Sequence, residues 1–305
     1  MRRTQQVGAV MIAVLVISAI LAVLLGYATL AINQRLDLAE QSKLKLLEKA
    51  EVYGKVSEIT YLIATQRITS AGVSRGLKQS GLMRDDSGLW LHPLVGDEIR
   101  TDGYIYNSSG IKFSIQNQAG LIPINSANQY WLKRWLSGHK YTPAEQNRLA
   151  AVLADYLDGD DRQRPGGHEE PLNSPGNYLA QSCKELRRIG EWKIVLEEYS
   201  GFFDLCGLGR DPALNLNSVP KALWQRLWPN STDQVSAARG RGEWITRDTP
   251  ASQFEPTMIN IREDLQARLG GTAHIVRVWG RYSSMSVRIS PLTGAMRSYD
   301  SKSQM

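Results

Sequence analysis

Five carboxylates crowd one stretch of the chain. Asp158, Asp160, Asp161, Glu169 and Glu170 flank "RPGG" within "LADYLDGDDRQRPGGHEEPLNSPGNYL" (153–179). Like charges at short range oppose one another, so a cation must offset them if the loop is to order. Arg162 and Arg164 of the same loop are one source of positive charge, and a bound metal is another. Hard oxygen donors in this number, on a loose loop, suit calcium. A solvated acidic loop is the alternative.

Other residues that could do chemistry are isolated. "GVSRG" (72–76) fits the Gly-x-Ser-x-Gly pattern of serine hydrolases. A nucleophile elbow needs a strand before the serine and a helix after it. This motif instead follows a long helical pattern, so Ser74 reads as part of a helix stop. His92, His139, His168 and His274 show no paired ligand spacing and read as ordinary surface or loop residues. There is no Gly-rich phosphate loop, and the chain is read as a non-enzyme. The two cysteines, Cys183 and Cys206, could pair in an oxidising compartment. Closing that loop contributes roughly 3 kcal/mol by the chain-entropy model. Two buried free thiols are the alternative.

The elements that must position these residues begin with the N-terminus. After "MRRTQQVG", the run Ala9–Ile32 is 24 residues without a charge or a proline. As a helix it is about 36 Å long, enough for a hydrocarbon core of ~30 Å. It is too long for the apolar region of a secretory signal. Arg2 and Arg3 ahead of it place the N-terminus in the cytoplasm and the rest of the chain across the membrane. Leu36, Leu44, Leu47, Val52, Val56, Ile59 and Ile63 then recur at helical spacing among Lys and Glu. The pattern predicts one helix to about residue 70, apolar all round to residue 32 and amphipathic beyond.

After the helix, "GYIYNSSG" and "GIKFSIQ" read as a strand, a turn and a second strand. Ile111, Phe113 and Ile115 point one way, and Lys112, Ser114 and Gln116 the other. "HIVRVWGRYSSMSVRISPLTGAMRSYD" offers three more strands separated by turn sequences. Between them lies a helical stretch rich in Leu, Trp and Arg. The fold class is α+β: a long N-terminal helix on an antiparallel sheet, built from 71–123 and 263–305, with an α-helical domain inserted at 124–262. Inside the insert, "INSANQYWLKRW" (124–135) and "LNSVPKALWQRL" (216–227) echo each other. Each reads as a short strand or turn, a capping Asn or Ser, and an amphipathic helix. The net charge of +6 is scattered, which argues against a dedicated nucleic-acid surface. A membrane-anchored helix-hairpin-helix-like nucleic-acid module is kept as a reading from a different class. The echoes lack the Gly-rich hairpin that such modules need.

A short basic leader ending in Gly, then a long helix that turns amphipathic, resembles type IV pilins and the pseudopilins of type II secretion. The resemblance implies removal of residues 1–8 by a prepilin peptidase, between Gly8 and Ala9, with methylation of the new N-terminus. The family's usual Glu at the fifth mature position is Ala13 here, a departure shared by the K-type minor pseudopilin. The loop at 153–179, "SCKELRRIG" (182–190) and "LNLNSVPKALW" (214–224) also follow the K-type order. The likeness is weak across 71–110, and His168 stands where a small residue is usual. Several expectations follow from the resemblance. The chain would be a single-pass bacterial inner-membrane protein with a periplasmic body. It would act at the tip of a pseudopilus, helping to start its assembly and protein secretion across the outer membrane. Its partners would be the I and J minor pseudopilins, the major pseudopilin, the inner-membrane secretion platform and the prepilin peptidase. Calcium would be held by Asp158, Asp160, Asp161, Glu169 and Glu170. A minor pilin of a type IV pilus or competence system is the nearest alternative.

Overall fold

The computed structural model describes residues 4–160, 162–167, 177–271, 273–290 and 295–300, with 4–9, 79–80 and 295–300 in backbone only. The charge-free run and the amphipathic run form one continuous helix, α1 (Thr4–Thr65). It ends short of the expected residue 70. Arg67 turns aside to donate to the carbonyls of Gly81 (2.6 Å) and His92 (2.7 Å). Ile68 pairs with Val73 in an isolated bridge.

The expected strands form one antiparallel sheet. Its members are β1 (Tyr106–Ser108), β2 (Ile111–Asn117), β7 (His274–Trp279), β8 (Ser284–Ser290) and β9 (Ala295–Asp300), in the order β1-β2-β7-β8-β9. Alternation sets its inner face. Phe113, Ile115, Val276, Val278, Met285, Val287 and Ile289 bury themselves against Val52, Val56, Ile59 and Ile63 of α1. Of the expected helix stripe only these last four residues reach the sheet. Leu36, Leu44 and Leu47 remain 61%, 49% and 53% exposed because α1 has run past the sheet's edge.

The helices α2 (Tyr130–Ser137), α3 (Pro143–Leu157), α4 (Gly190–Glu198), α5 (Phe202–Leu205), α6 (Lys221–Leu227) and α7 (Thr232–Gly240) come from between β2 and β7. They enclose a second core around Trp131, Trp135, Trp192 and Trp224, all fully buried. The start of α3 is set by a capping box: Thr142 Oγ1 accepts from Glu145 N–H and Glu145 accepts from Thr142 N–H, with Pro143 in the first turn. Residues 263–267, expected in the sheet body, pack with these helices instead. Leu265 joins their core, and β6 (Gln266–Ala267) pairs in parallel with β5 (Leu214–Asn215).

The sheet's outer face is not open along β2. Ser114 and Gln116, on the face opposite Phe113 and Ile115 as expected, are buried too. Gln116 donates to Ser218 O (2.8 Å), and the hydroxyls of Thr101 and Ser218 lie 3.0 Å apart. Gly120 has no room for a Cβ, because the Ser218 carbonyl occupies that space. Arg239 of α7 crosses from the block to Asp102 (2.9 Å) and also donates to the carbonyls of Val219 and Leu216, each at 2.8 Å. Burial pulls this guanidinium's pKa down, and the Asp102 carboxylate opposes the shift.

Candidate functional site

The acidic loop leaves the C-terminal end of α3. Asp155 sits on the buried side of that helix beside Val152 and Tyr156, and is 0% exposed. Its carboxylate accepts from Arg164 N–H (3.1 Å) and from Arg164 Nη1 (2.8 Å). The same guanidinium bonds Asp158, so Arg164 offsets both acids. These two bonds, that to Asp155 the larger, raise the guanidinium's pKa further. Gly167 closes the turn by donating to Arg164 O (2.8 Å), and a Cβ there would strike the Asp155 carboxylate. Asp160 accepts from Arg162 N–H at 2.9 Å, a local turn.

Of the five expected ligands, Asp158 and Asp160 are thus described. Asp161, Glu169 and Glu170 lie outside the described residues, as does His168. Among the described residues no three His, Cys, Asp or Glu side chains gather as a metal-binding group. One donor does fit a hard cation: Asp158 Oδ1 is buried without a hydrogen-bond partner. Asp155 was not among the expected ligands. The signal for it was its register on α3, between apolar neighbours rather than on the polar side.

The structure joins Cys183 to Cys206, with Cα atoms 6.2 Å apart. The bridge fastens the 3-10 turn Cys183–Arg188 to β4 (Cys206–Gly207), which pairs in parallel with β3 (Ile122–Pro123). Asp204, just before β4, reaches Arg277 on the sheet at 2.9 Å.

Ser74 is fully buried and donates to Asp97 (2.9 Å) in a loop, not in a strand-to-helix elbow. His139 is packed between Trp135 and Tyr199 with Nδ1 donating to Trp135 O (3.0 Å), and burial lowers its pKa. His274 is buried beside Asn117. His139 lies in the turn after α2, as a loop residue, whereas His274 opens β7, and neither is at the surface. The tertiary packing that buries them has no local sequence signal. His92 is exposed, in a loop.

The two echoes are related in structure, but the asparagines of their Asn-Ser pairs, Asn125 and Asn217, are not caps; in the first echo it is Asn128 that accepts from Tyr130 N–H (3.0 Å) at the start of α2. Asn125 donates to the carbonyls of Ala180 and Leu208 and accepts from Ala180 N–H. Asn217 donates to the carbonyls of Ile245 and Arg268 and accepts from Ile245 N–H. Each staples three separate chain segments behind a two-residue parallel ladder. The cap positions of α2 and α6 are Gln129 and Pro220. With both amides spent on internal backbone, these segments present no phosphate cradle.

The remaining candidate surface is α1. Gly8 and Ala9 lie in its first turns, and Ala13 is exposed. Among the described residues α1 is the helix long and apolar enough to cross a membrane, and its most apolar window has no part buried against the body. This is compatible with a single-pass anchor.

No family model matches the chain, and no curated protein matches it in sequence. The fold does have a solved counterpart. The chain is similar to one in the crystal structure of the GspK-GspI-GspJ complex from the type 2 secretion system of enterotoxigenic Escherichia coli. The match covers 88% of this chain and 100% of that one, with a TM-score of 0.51 and 12% sequence identity. At that identity the likeness is one of fold: a GspK-like, pilin-like α+β architecture, as the sequence led us to expect.

Proposed function

We propose that this chain is a membrane-anchored minor pseudopilin of a type II secretion machine, standing at the tip of a periplasmic filament. The observation that carries the reading is the division of α1. Val52 to Ile63 lie on the sheet, while Leu36, Leu44, Leu47 and the charge-free run get no cover from the body. An apolar helix surface of this length needs lipid around one part and other helices around the rest. The natural covering partners are the I- and J-type subunits, by analogy with the solved complex. The major pseudopilin, the secretion platform and the prepilin peptidase complete the set.

In this reading the peptidase cuts between Gly8 and Ala9, the new N-terminus is methylated, and the body stands in the periplasm. Ala13 then has a physical rationale. An acid at that position offsets a neighbour's buried ammonium, since an unpaired charge in an apolar filament core costs several kcal/mol (~3–5). A subunit with nothing stacked above it does not need one. The helical block, carried beside the sheet, would itself obstruct a further subunit above. The acidic loop is the proposed calcium site. Asp158 and Asp160 are its described members, and the unclaimed Asp158 Oδ1 is the feature that supports it.

Co-expression of the full chain with I- and J-type pseudopilins, with a photo-crosslinking residue on α1, tests the assignment. Crosslinks to both partners from Leu36 and Leu44, and none from Val56, are expected. Crosslinks to neither partner, or a mature N-terminus other than Ala9, would defeat it.

A further inference from the structure

Among the described residues, the helix that carries the anchor meets a cluster of hydrogen-bond donors of the body close to where it leaves the sheet. Glu48 Oε1 accepts from Tyr282 N–H (2.6 Å), Ser283 N–H (2.9 Å) and Ser283 Oγ (3.2 Å), across more than 230 residues of chain. The receiving turn joins β7 to β8 and is closed by Gly280 N–H donating to Ser283 O (2.8 Å). A Cβ at Gly280 would fall on the Glu48 carboxylate, which would have to move out of the turn. The turn is therefore a small nest of N–H groups shaped around one carboxylate. Lys45 and Arg281 flank it, their cations 6.0 and 5.2 Å from the Tyr282 ring. Burial alone would raise the Glu48 pKa, and the hydrogen bonds from the turn outweigh it and lower it.

The rest of the contact with the sheet includes one cation–π pair, Lys55 Nζ 5.5 Å over the Phe113 ring, and apolar packing. Val52, Val56, Ile59 and Ile63 hold α1 by apolar burial, which is non-directional. Their baseline from Val52 to Ile63 is about 17 Å, and Glu48 extends it to about 22 Å. Beyond it α1 runs on for about 66 Å, back to Thr4.

We infer that Glu48 is a positioning residue: it pins the angle at which the membrane helix leaves the body, and so the orientation of the body on its anchor. The inference shares with the proposed function only the reading of α1 as an anchor, and its test reads the chain alone. A failure of the secretion assignment therefore leaves it standing.

The lever sets the size of the effect. With the pin, play at the packed end is amplified about 1.4-fold at Tyr27; without it the fulcrum moves to Val52 and the factor rises to about 2.3. The full chain, in lipid nanodiscs, would carry genetically encoded spin labels at Tyr27 and Lys112, both exposed. The distance distribution should be about 1.6-fold broader in Glu48→Ala than in the parent, the ratio of those two factors. Gly280→Ala, which displaces the carboxylate while leaving the sequence of α1 unaltered, should broaden it equally. The double variant should be no broader than either single one. Ser283→Ala keeps both backbone donors and should stay narrow. A parent-like width in Glu48→Ala, or additive broadening in the double variant, overturns the inference. Loss of the folded body in Glu48→Ala also overturns it, because a pin must be separable from folding.

Discussion

Removing the Asp102 carboxylate should damage the molecule more than removing the arginine it holds. Arg239 has a side chain only 6% exposed, and Asp102 one only 3% exposed. Asp102 is also held by Arg100, at 2.5 Å. In Asp102→Ala the Arg239 guanidinium stays buried with only the carbonyls of Val219 and Leu216 as acceptors. An uncompensated buried charge of this kind costs about 3–5 kcal/mol. Arg239→Met leaves Asp102 paired with Arg100, so its cost is that of lost hydrogen bonds and packing, about 1–2 kcal/mol. The double variant should recover much of the Asp102→Ala loss, since apolar replacement of a buried pair is often neutral. Urea unfolding of the chain in detergent, followed by tryptophan fluorescence, suits the measurement because Trp224 lies 5.4 Å from the Arg239 guanidinium. Equal costs for the two single variants, or a cost below about 1 kcal/mol for Asp102→Ala, would refute the reasoning.

Three further outcomes follow from particular contacts. At Asp97, burial raises the pKa, but hydrogen bonds from Leu77 N–H, Ser74 Oγ, Arg75 N–H and Lys78 N–H outweigh it and set it below the usual carboxylate value. A depressed carboxylate stabilises the fold above its unfolded pKa, about 3.9, and that gain is lost as pH falls through the folded value. Asp97→Asn should therefore lower Tm at pH 7 and match the parent at the acid end of a pH series. Added calcium should raise Tm by mass action on the folded state, magnesium less so, and Asp158→Ala or Asp160→Ala should weaken the gain; calorimetry with no calcium heat and no thermal shift would dismiss the site. Mass spectrometry under non-reducing conditions should count no free thiol, and Cys206→Ser should cost about 3 kcal/mol.

Much of this architecture was legible because two periodicities are strong. A charge-free run of 24 residues admits few forms besides a helix, and alternation in "GIKFSIQ" and "HIVRVW" marks strands with one apolar face. What covers a face was not legible. Alternation puts Ser114 and Gln116 on the face opposite the apolar one, but nothing local announces the helical block whose Ser218 carbonyl accepts from Gln116. Leu36, Leu44 and Leu47 carry the same stripe as Val52 and Val56, so the sequence could not say where the sheet ends. The echo around Asn125 and Asn217 was visible, but Asn-Ser before a helix reads equally as a cap or a long-range staple. The same ambiguity hid Asp155, an acid whose arginine partner lies one loop away, and Glu48, an ordinary helix glutamate whose donors arrive from the far end of the chain.

The central claim is that this chain caps a filament, and label position on that filament tests it most directly. Immunogold directed at the body of the mature chain, on isolated pseudopili, should fall at one end, with few copies relative to the major pseudopilin. Gold spread evenly along the filament would contradict the account. It would mean that a subunit with Ala13 and the helical block stacks like any other.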